Sequence, residues 1–259
     1  MRSCSVAMLV TVAAVFGSSG VAVAAPRDYC ADLKGGNTGS TCEIQLLDPA
    51  YSVDISFPTD HPDQKSVAEY ISQTRDEFLN AAKSGAPRTT RPELSIKPTK
   101  YTSSIPPRGT QSVVFTVYQN DGGAHPRTTF KAFNWDQTYR KAITYAAAPD
   151  DKERTPLWQV DDPLKTVAPI VQAELQQQLA PPPVAPSTSA QTAAATPTAT
   201  PPTPLPIAPT ALYDPANYQN FAVVNDGVIF FFDQGVLLPD SAGALQVLVP
   251  RSAIDPMIA

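Results

Sequence analysis

Histidine is nearly absent from this sequence: His61 and His125 are the only two in 259 residues. They stand in unrelated contexts, and neither falls in an H-E-x-x-H or similar spacing, so no metal centre and no cofactor are expected. Cysteine is scarce too, at three residues, and no G-x-S-x-G elbow presents a nucleophilic serine. No phosphate loop or dinucleotide fingerprint is present, because Gly122-Gly123 alone is far too short a pattern. Positive charge is not in excess: 19 Lys and Arg stand against 24 Asp and Glu. That balance argues against nucleic acid and anionic membrane surfaces as electrostatic partners. No run of 18 apolar residues occurs, which predicts no membrane span.

What is present begins with an address. Arg2 gives a short positive start, residues 6–16 form an apolar run, and Ala22-Val23-Ala24 is an A-x-A cleavage site. Residues 1–24 therefore read as a secretory signal peptide, cut after Ala24, which predicts a secreted, extracellular protein. Cys4 is lost with that segment. Cys30 and Cys42 remain as an even pair for an oxidising compartment, separated by a glycine-rich stretch that lets the thiols meet. A disulfide there is worth about 3 kcal/mol in the chain-entropy model. The rival reading, a two-cysteine zinc site, is disfavoured by the shortage of histidine.

Along the chain the clearest shift in composition covers residues 181–211, with ten prolines and no charged residue. Such a stretch cannot bury enough apolar surface to offset its ordering entropy, so a disordered Pro/Ala/Thr-rich linker is expected. The residues after it, 212–259, are too few for a core of their own. They hold two apolar runs around Asn225-Asp226-Gly227, the signal of a β-hairpin. Three consecutive phenylalanines, Phe230 to Phe232, demand cover on both faces of one strand. The economical expectation is a hairpin that returns to a sheet begun earlier and completes it, with the linker as an outward insertion.

Helical spacing of Val67, Tyr70, Ile71, Thr74, Phe78 and Ala81, opened by Pro62 and closed by Gly85 and Pro87, predicts one helix. A second is expected over 167–179, capped by Thr166, with Ile170, Val171, Leu175 and Leu179 as its buried stripe. Strands are expected at 43–47, 51–57, 93–104, 112–119, 128–135 and 245–249, besides the hairpin, with 150–154 as a hydrated loop. The order lacks regular βαβ alternation. It predicts an α+β fold: a mixed or antiparallel sheet packed with two main helices.

Candidate chemistry is thin. Asp121 or His125 could assist a serine in space, and Asp121, Asp136, Asp161 and Asp162 are generic carboxylates for glycoside hydrolysis. Gly122, Gly123, His125 and Pro126 lie between two apolar strands, which reads as a β-turn or hairpin loop with a structural or ligand-binding role.

The same segments carry a resemblance. APRDYC (25–30), DPAYSVDISFP (48–58), YISQTRDEFL (70–79), IPPRGTQSVVFTVYQNDGG (105–123), KAFNWDQTYRK (131–141), DPANYQNFAVVNDGVIFFF (214–232) and the closing LVPRSAIDPMIA resemble the secreted immunogenic antigens of the tubercle bacillus group. More distantly, GGAHP followed by an aromatic strand and a late hairpin is similar to extracytoplasmic domains that include a lysozyme-sensing anti-sigma factor ectodomain. Residues 43–108 are similar to a domain found beside certain polysaccharide deacetylases, so no catalytic residues carry over. The resemblance implies an N-terminal region, 25–108, and a GGAHP-containing region formed by 109–180 and 212–259. It implies a non-enzymatic, monomeric, secreted antigen that binds an unidentified protein partner, with a host protein or lysozyme as candidates. An extracellular hydrolase of esters or cell-wall glycan, and a soluble lysozyme-binding protein, are the alternatives.

Overall fold

The computed structural model describes residues 27–84, 88–105, 109–147, 150–179 and 207–258. The expected signal peptide, 1–24, and most of the expected linker, 181–211, lie outside them. A short helix α1 (Tyr29–Asp32) leads to β1 (Gly36–Asn37), β2 (Thr41–Asp48) and β3 (Tyr51–Pro58). Helix α2 (Gln64–Lys83) follows, then β4 (Glu93–Ser103), β5 (Thr110–Asn120), β6 (Arg127–Asp136), β7 (Lys141–Thr144) and β8 (Arg154–Pro156). These eight strands form one sheet in sequence order. Only β3–β4 and β7–β8 pair in parallel. A parallel neighbour needs a crossover, and α2 supplies it between β3 and β4.

Alternation sets the layers. Val113, Phe115 and Val117 of β5 join Ile44, Val53, Ile55, Leu94 and Ile96 under the buried stripe Val67, Ile71, Phe78 and Ala82 of α2. Asp63 caps that helix by accepting the Ser66 N–H at 3.2 Å, and Lys83 sits in its last turn, both favoured by the helix dipole. Pro98 is tolerated within β4 because the pairing of β4 with β3 stops at Ile96.

The second half adds α3 (Leu164–Gln178), α4 (Pro209–Leu212), β9 (Phe221–Val224), β10 (Gly227–Phe232), β11 (Leu245–Pro250) and α5 (Arg251–Ile254). Helix α3 begins at Leu164, earlier than the cap expected at Thr166. Pro163 already has helical backbone angles, and the Thr166 N–H bonds to the Pro163 carbonyl. Its buried stripe is Leu164, Val167, Ala168, Val171 and Leu175; Ile170 is half-buried and Leu179 is exposed. Arg154, expected in a loop, opens β8.

The α+β class holds, but the last hairpin does not complete the large sheet. β10 is paired on both sides, by β9 and β11, and the three make a separate antiparallel sheet. β9 lies against β4, β5 and β6. Its outward carbonyls are met by side chains instead of a strand: Asn134 Nδ2 donates to Phe221 O at 2.9 Å and Thr110 Oγ1 to Val223 O at 3.4 Å. Phe230 and Phe232 point into a core with α3, Tyr218 and Trp158. Phe231 points the other way, onto Val114 and Phe130 of the large sheet. The result is four layers: α2, large sheet, small sheet, α3. Both faces of the phenylalanine strand are thereby covered.

The division at 108/109 falls between β4 and β5, which pair from Glu93–Asn120 to Ser103–Thr110. The two regions thus share a sheet, while their main cores lie on opposite sides of it.

Candidate functional site

The GGAHP turn joins β5 to β6. Asn120 Oδ1 accepts the Gly122 N–H at 2.8 Å, and the Gly122 carbonyl accepts from the Thr89 and Thr90 N–H groups at 2.9 and 3.3 Å. Gly122 has φ +85°, and a Cβ there would lie 2.5 Å from Arg88 Cδ and 2.8 Å from Thr90 O. Only glycine meets both demands. The first glycine is thus the docking point for the chain entering β4. Gly123 and His125 are exposed and Pro126 is half-buried.

Beside the turn runs a half-open strand edge. β6 is paired with β5 along its length but with β7 only at Asn134, Trp135 and Asp136, so the N–H groups of Thr128, Phe130 and Ala132 on its outer edge meet no strand. Residues flanking the small sheet take them. Gln234 Oε1 accepts from Thr128 N at 3.0 Å, Asp233 Oδ1 from Phe130 N at 2.7 Å, and Asn220 Oδ1 from Ala132 N at 3.1 Å. Gln234 N returns a bond to Thr128 O at 3.0 Å. Burial pushes the Asp233 carboxyl up, against the Phe130 N–H bond and the Arg127 charge, which both lower it. The GGAHP turn and the end of the last hairpin are therefore neighbours. Sequence reasoning missed Asn220, Asp233 and Gln234. Their role depends on which strand edge is left open, and no local pattern records that.

The remaining candidates do not gather. Asp136 is fully buried and its Oδ1 accepts the Thr138 and Tyr139 N–H groups, both at 2.8 Å, as an Asx turn. Asp121, exposed, accepts from Gln119 Nε2 at 2.8 Å just past the other end of the β5–β6 ribbon. The eleven-residue β5 and ten-residue β6 put those two carboxylates ~30 Å apart, well beyond the spacing of a glycosidase pair. Asp161 and Asp162 lie on the loop before α3, where Asp162 pairs with Lys165 at 3.2 Å. Among the described residues no three His, Cys, Asp or Glu side chains cluster as metal ligands, and no helix is long and apolar enough to cross a membrane.

His61 sits between β3 and α2 and is only 3% exposed. Its Nε2 has no partner. Burial lowers its pKa to about 4, partly opposed by Asp63 and Asp60 and reinforced by Lys100. Such a ring is held neutral at physiological pH. Cys30 and Cys42 form a disulfide with Cα atoms 5.6 Å apart, tying α1 to β2.

Residues 156–252, from the end of β8 through the whole of the small sheet, match the family described as "Protein of unknown function (DUF3298)". A crystal structure of a DUF3298 family protein from Pseudomonas aeruginosa PAO1 superposes with a TM-score of 0.49 at 11% identity, covering 85% of this chain and 94% of that one. The chain is 37% identical over 97% of its length to a Mycobacterium tuberculosis protein named an esterase, and covers 97% of it. It is 54% identical to "Immunogenic protein MPB64" of Mycobacterium bovis and to "Immunogenic protein MPT64" of Mycobacterium tuberculosis, over 97% of each chain. Identity at that level and coverage leaves one conclusion: the chain belongs to the mycobacterial immunogenic-protein family of MPB64 and MPT64.

Proposed function

We propose that the protein is a secreted antigen that works by binding an extracellular partner and not by catalysis. The 54% identity to proteins named immunogenic carries this reading. The geometry supports it. Gly122 anchors the β5–β6 turn to the chain entering β4, and His125 stands exposed on that fixed base. A Cys30–Cys42 disulfide suits an oxidising compartment. The binding surface we favour is the GGAHP turn with Asp233 and Gln234 beside it.

Calorimetric titration of lysozyme into residues 25–259 at two salt concentrations tests the partner. An acidic chain attracts a basic protein weakly in any case, so salt separates recognition from screening. Saturable one-to-one binding that survives high salt, and weakens in His125→Ala, is the expected result for lysozyme recognition. Heat that vanishes with salt would remove lysozyme and pass the search to other host and cell-wall partners.

A hydrolase is the second reading, favoured by the relative named an esterase. Covalent labelling by a serine-directed phosphonate probe, with turnover of a p-nitrophenyl ester lost on labelling, would establish it. Neither signal is expected under the binding reading.

A further inference from the structure

The connection from β3 to α2, residues 59–63, belongs to no strand or helix, yet it sets the crossover that lays α2 on the large sheet. Side chains hold it. Gln64 Nε2 donates to Pro58 O at 2.8 Å and to His61 O at 3.0 Å. Thr59 Oγ1 donates to Gly39 O at 2.9 Å, and Lys100 of β4 reaches Asp60 at 2.7 Å. His61 is buried within this connection, and its Nε2 is left without a partner. Native folds seldom leave such an atom unpaired. A neutral ring tolerates it, but an imidazolium carries a charge and two N–H donors, and burial without acceptors penalises all three.

The charged groups around the ring give a cation little relief. Asp60 is held by Lys100, and Asp63 Oδ1 accepts the Ser66 N–H as the cap of α2. Lys100 itself repels a second cation, and burial outweighs both carboxylates. Lys65, in the first turn of α2, is turned outward to Glu69. A protonated ring therefore favours any conformation that puts it in water. The least disruptive one moves only residues 59–63, because no strand ladder has to break. The other half of the molecule lacks this sensitivity. His125, the second histidine, is exposed, and the buried Asp233 carboxyl favours the folded state in acid.

We propose that His61 is an acid-released latch: on acidification the β3–α2 connection opens locally, baring Phe57 and Val67 at the adjoining ends of β3 and α2, while the small sheet and its core stay closed. Both of those side chains are fully buried in the closed form. Neither partner binding nor ester turnover enters the latch, so it stands or falls apart from the function proposed above.

Amide hydrogen exchange of residues 25–259 at pH 7.5 and pH 4.5, corrected for the intrinsic effect of pH, is the test. The ring has a pKa of about 4 in place and 6.5 in water. Linkage then gives a rise of about ten- to a hundredfold in the open population of residues 59–66. Strand β10 is expected to keep its protection, and the His61 ring resonance to titrate well below 6.5. His61→Phe keeps an aromatic ring that takes no proton, so the acid effect is expected to vanish. Lys100→Gln frees Asp60 to pair with the imidazolium, so the effect is expected to weaken; this variant decides if His61→Phe does not fold. An acid effect of unchanged size in the deciding variant overturns the proposal. So does a ring that titrates near 6.5, or an absence of any rise at residues 59–66. Equal loss of protection in β10 would mean global unfolding and overturn the latch as well.

Discussion

His61 and Asp233 are both displaced by burial, but they pull stability in opposite directions with pH. The His61 ring has a folded pKa of about 4 against 6.5 when free. Between those values the unfolded chain binds the extra proton, so this stability is complete above pH ~6.5 and is lost as pH falls toward 4. The loss approaches about 3 kcal/mol by linkage. Urea unfolding at pH 7 and pH 4.5 checks it: the gap between wild type and His61→Asn should shrink at the lower pH. Asp233, pushed upward, favours the folded state in acid and costs stability once pH passes its folded pKa. Asp233→Asn keeps an acceptor for the Phe130 N–H and removes the buried charge, so at pH 7 it should be neutral or stabilising. Asp233→Ala leaves that N–H without its partner and should cost about 1–2 kcal/mol, read from denaturant midpoints. Neither behaviour is written in sequence. His61 has carboxylates on both sides in the chain, and only its burial explains why its pKa falls.

At the scale of elements, most of the fold was legible. The hairpin β2–β3 follows from alternation at Tyr51, Val53, Ile55 and Phe57, and its turn from Asp48, whose Oδ1 accepts the Ala50 N–H. Helix α2 was marked by its stripe and by Gly85 and Pro87 beyond its end. The start of α3 was misread because Pro163 and Thr166 are both plausible openings, and only packing of Leu164 into the core selects the earlier one. The Cys30–Cys42 pair needed no packing to be foreseen, because it was the only even pairing left after the signal segment. Its removal by Cys30→Ser with Cys42→Ser should cost about 3 kcal/mol. Local fraying is expected at α1 and β1, visible as faster amide exchange there, with α2 remaining protected.

For the whole molecule, the consequential contact is the small one between the sheets. Val114, Ala222 and Phe231 form it, with Phe231 rings 5.2 Å from Phe130 and 5.8 Å from Tyr101. Two larger cores flank it. Phe231→Ala should cost about 3–5 kcal/mol and weaken the coupling of the halves. Scanning calorimetry is expected to change from one transition to two. A single transition in the variant would mean that the side-chain hydrogen bonds of Asn134, Asn220 and Asp233 suffice to unite the sheets.

The amino-acid order by itself determined the α+β class, the longer strands, both main helices and the disulfide partners, but not the short strands β1, β7 and β8. Each rests on periodicity, turn chemistry or elimination within a short window. Family membership was legible too, because whole segments such as DPANYQNFAVVNDGVIFFF match. Tertiary structure alone decided where the last hairpin goes. Asn225-Asp226-Gly227 specifies a turn, and three phenylalanines specify burial on two faces, but both are met equally by a strand added to a sheet edge or by a second sheet laid upon it. The choice lies with Thr110, Asn134, Asn220, Asp233 and Gln234, which satisfy open edges by side chain across separations of 87 to 113 residues. Hydrogen bonds of that kind have no period and no motif, so only the folded chain reveals them.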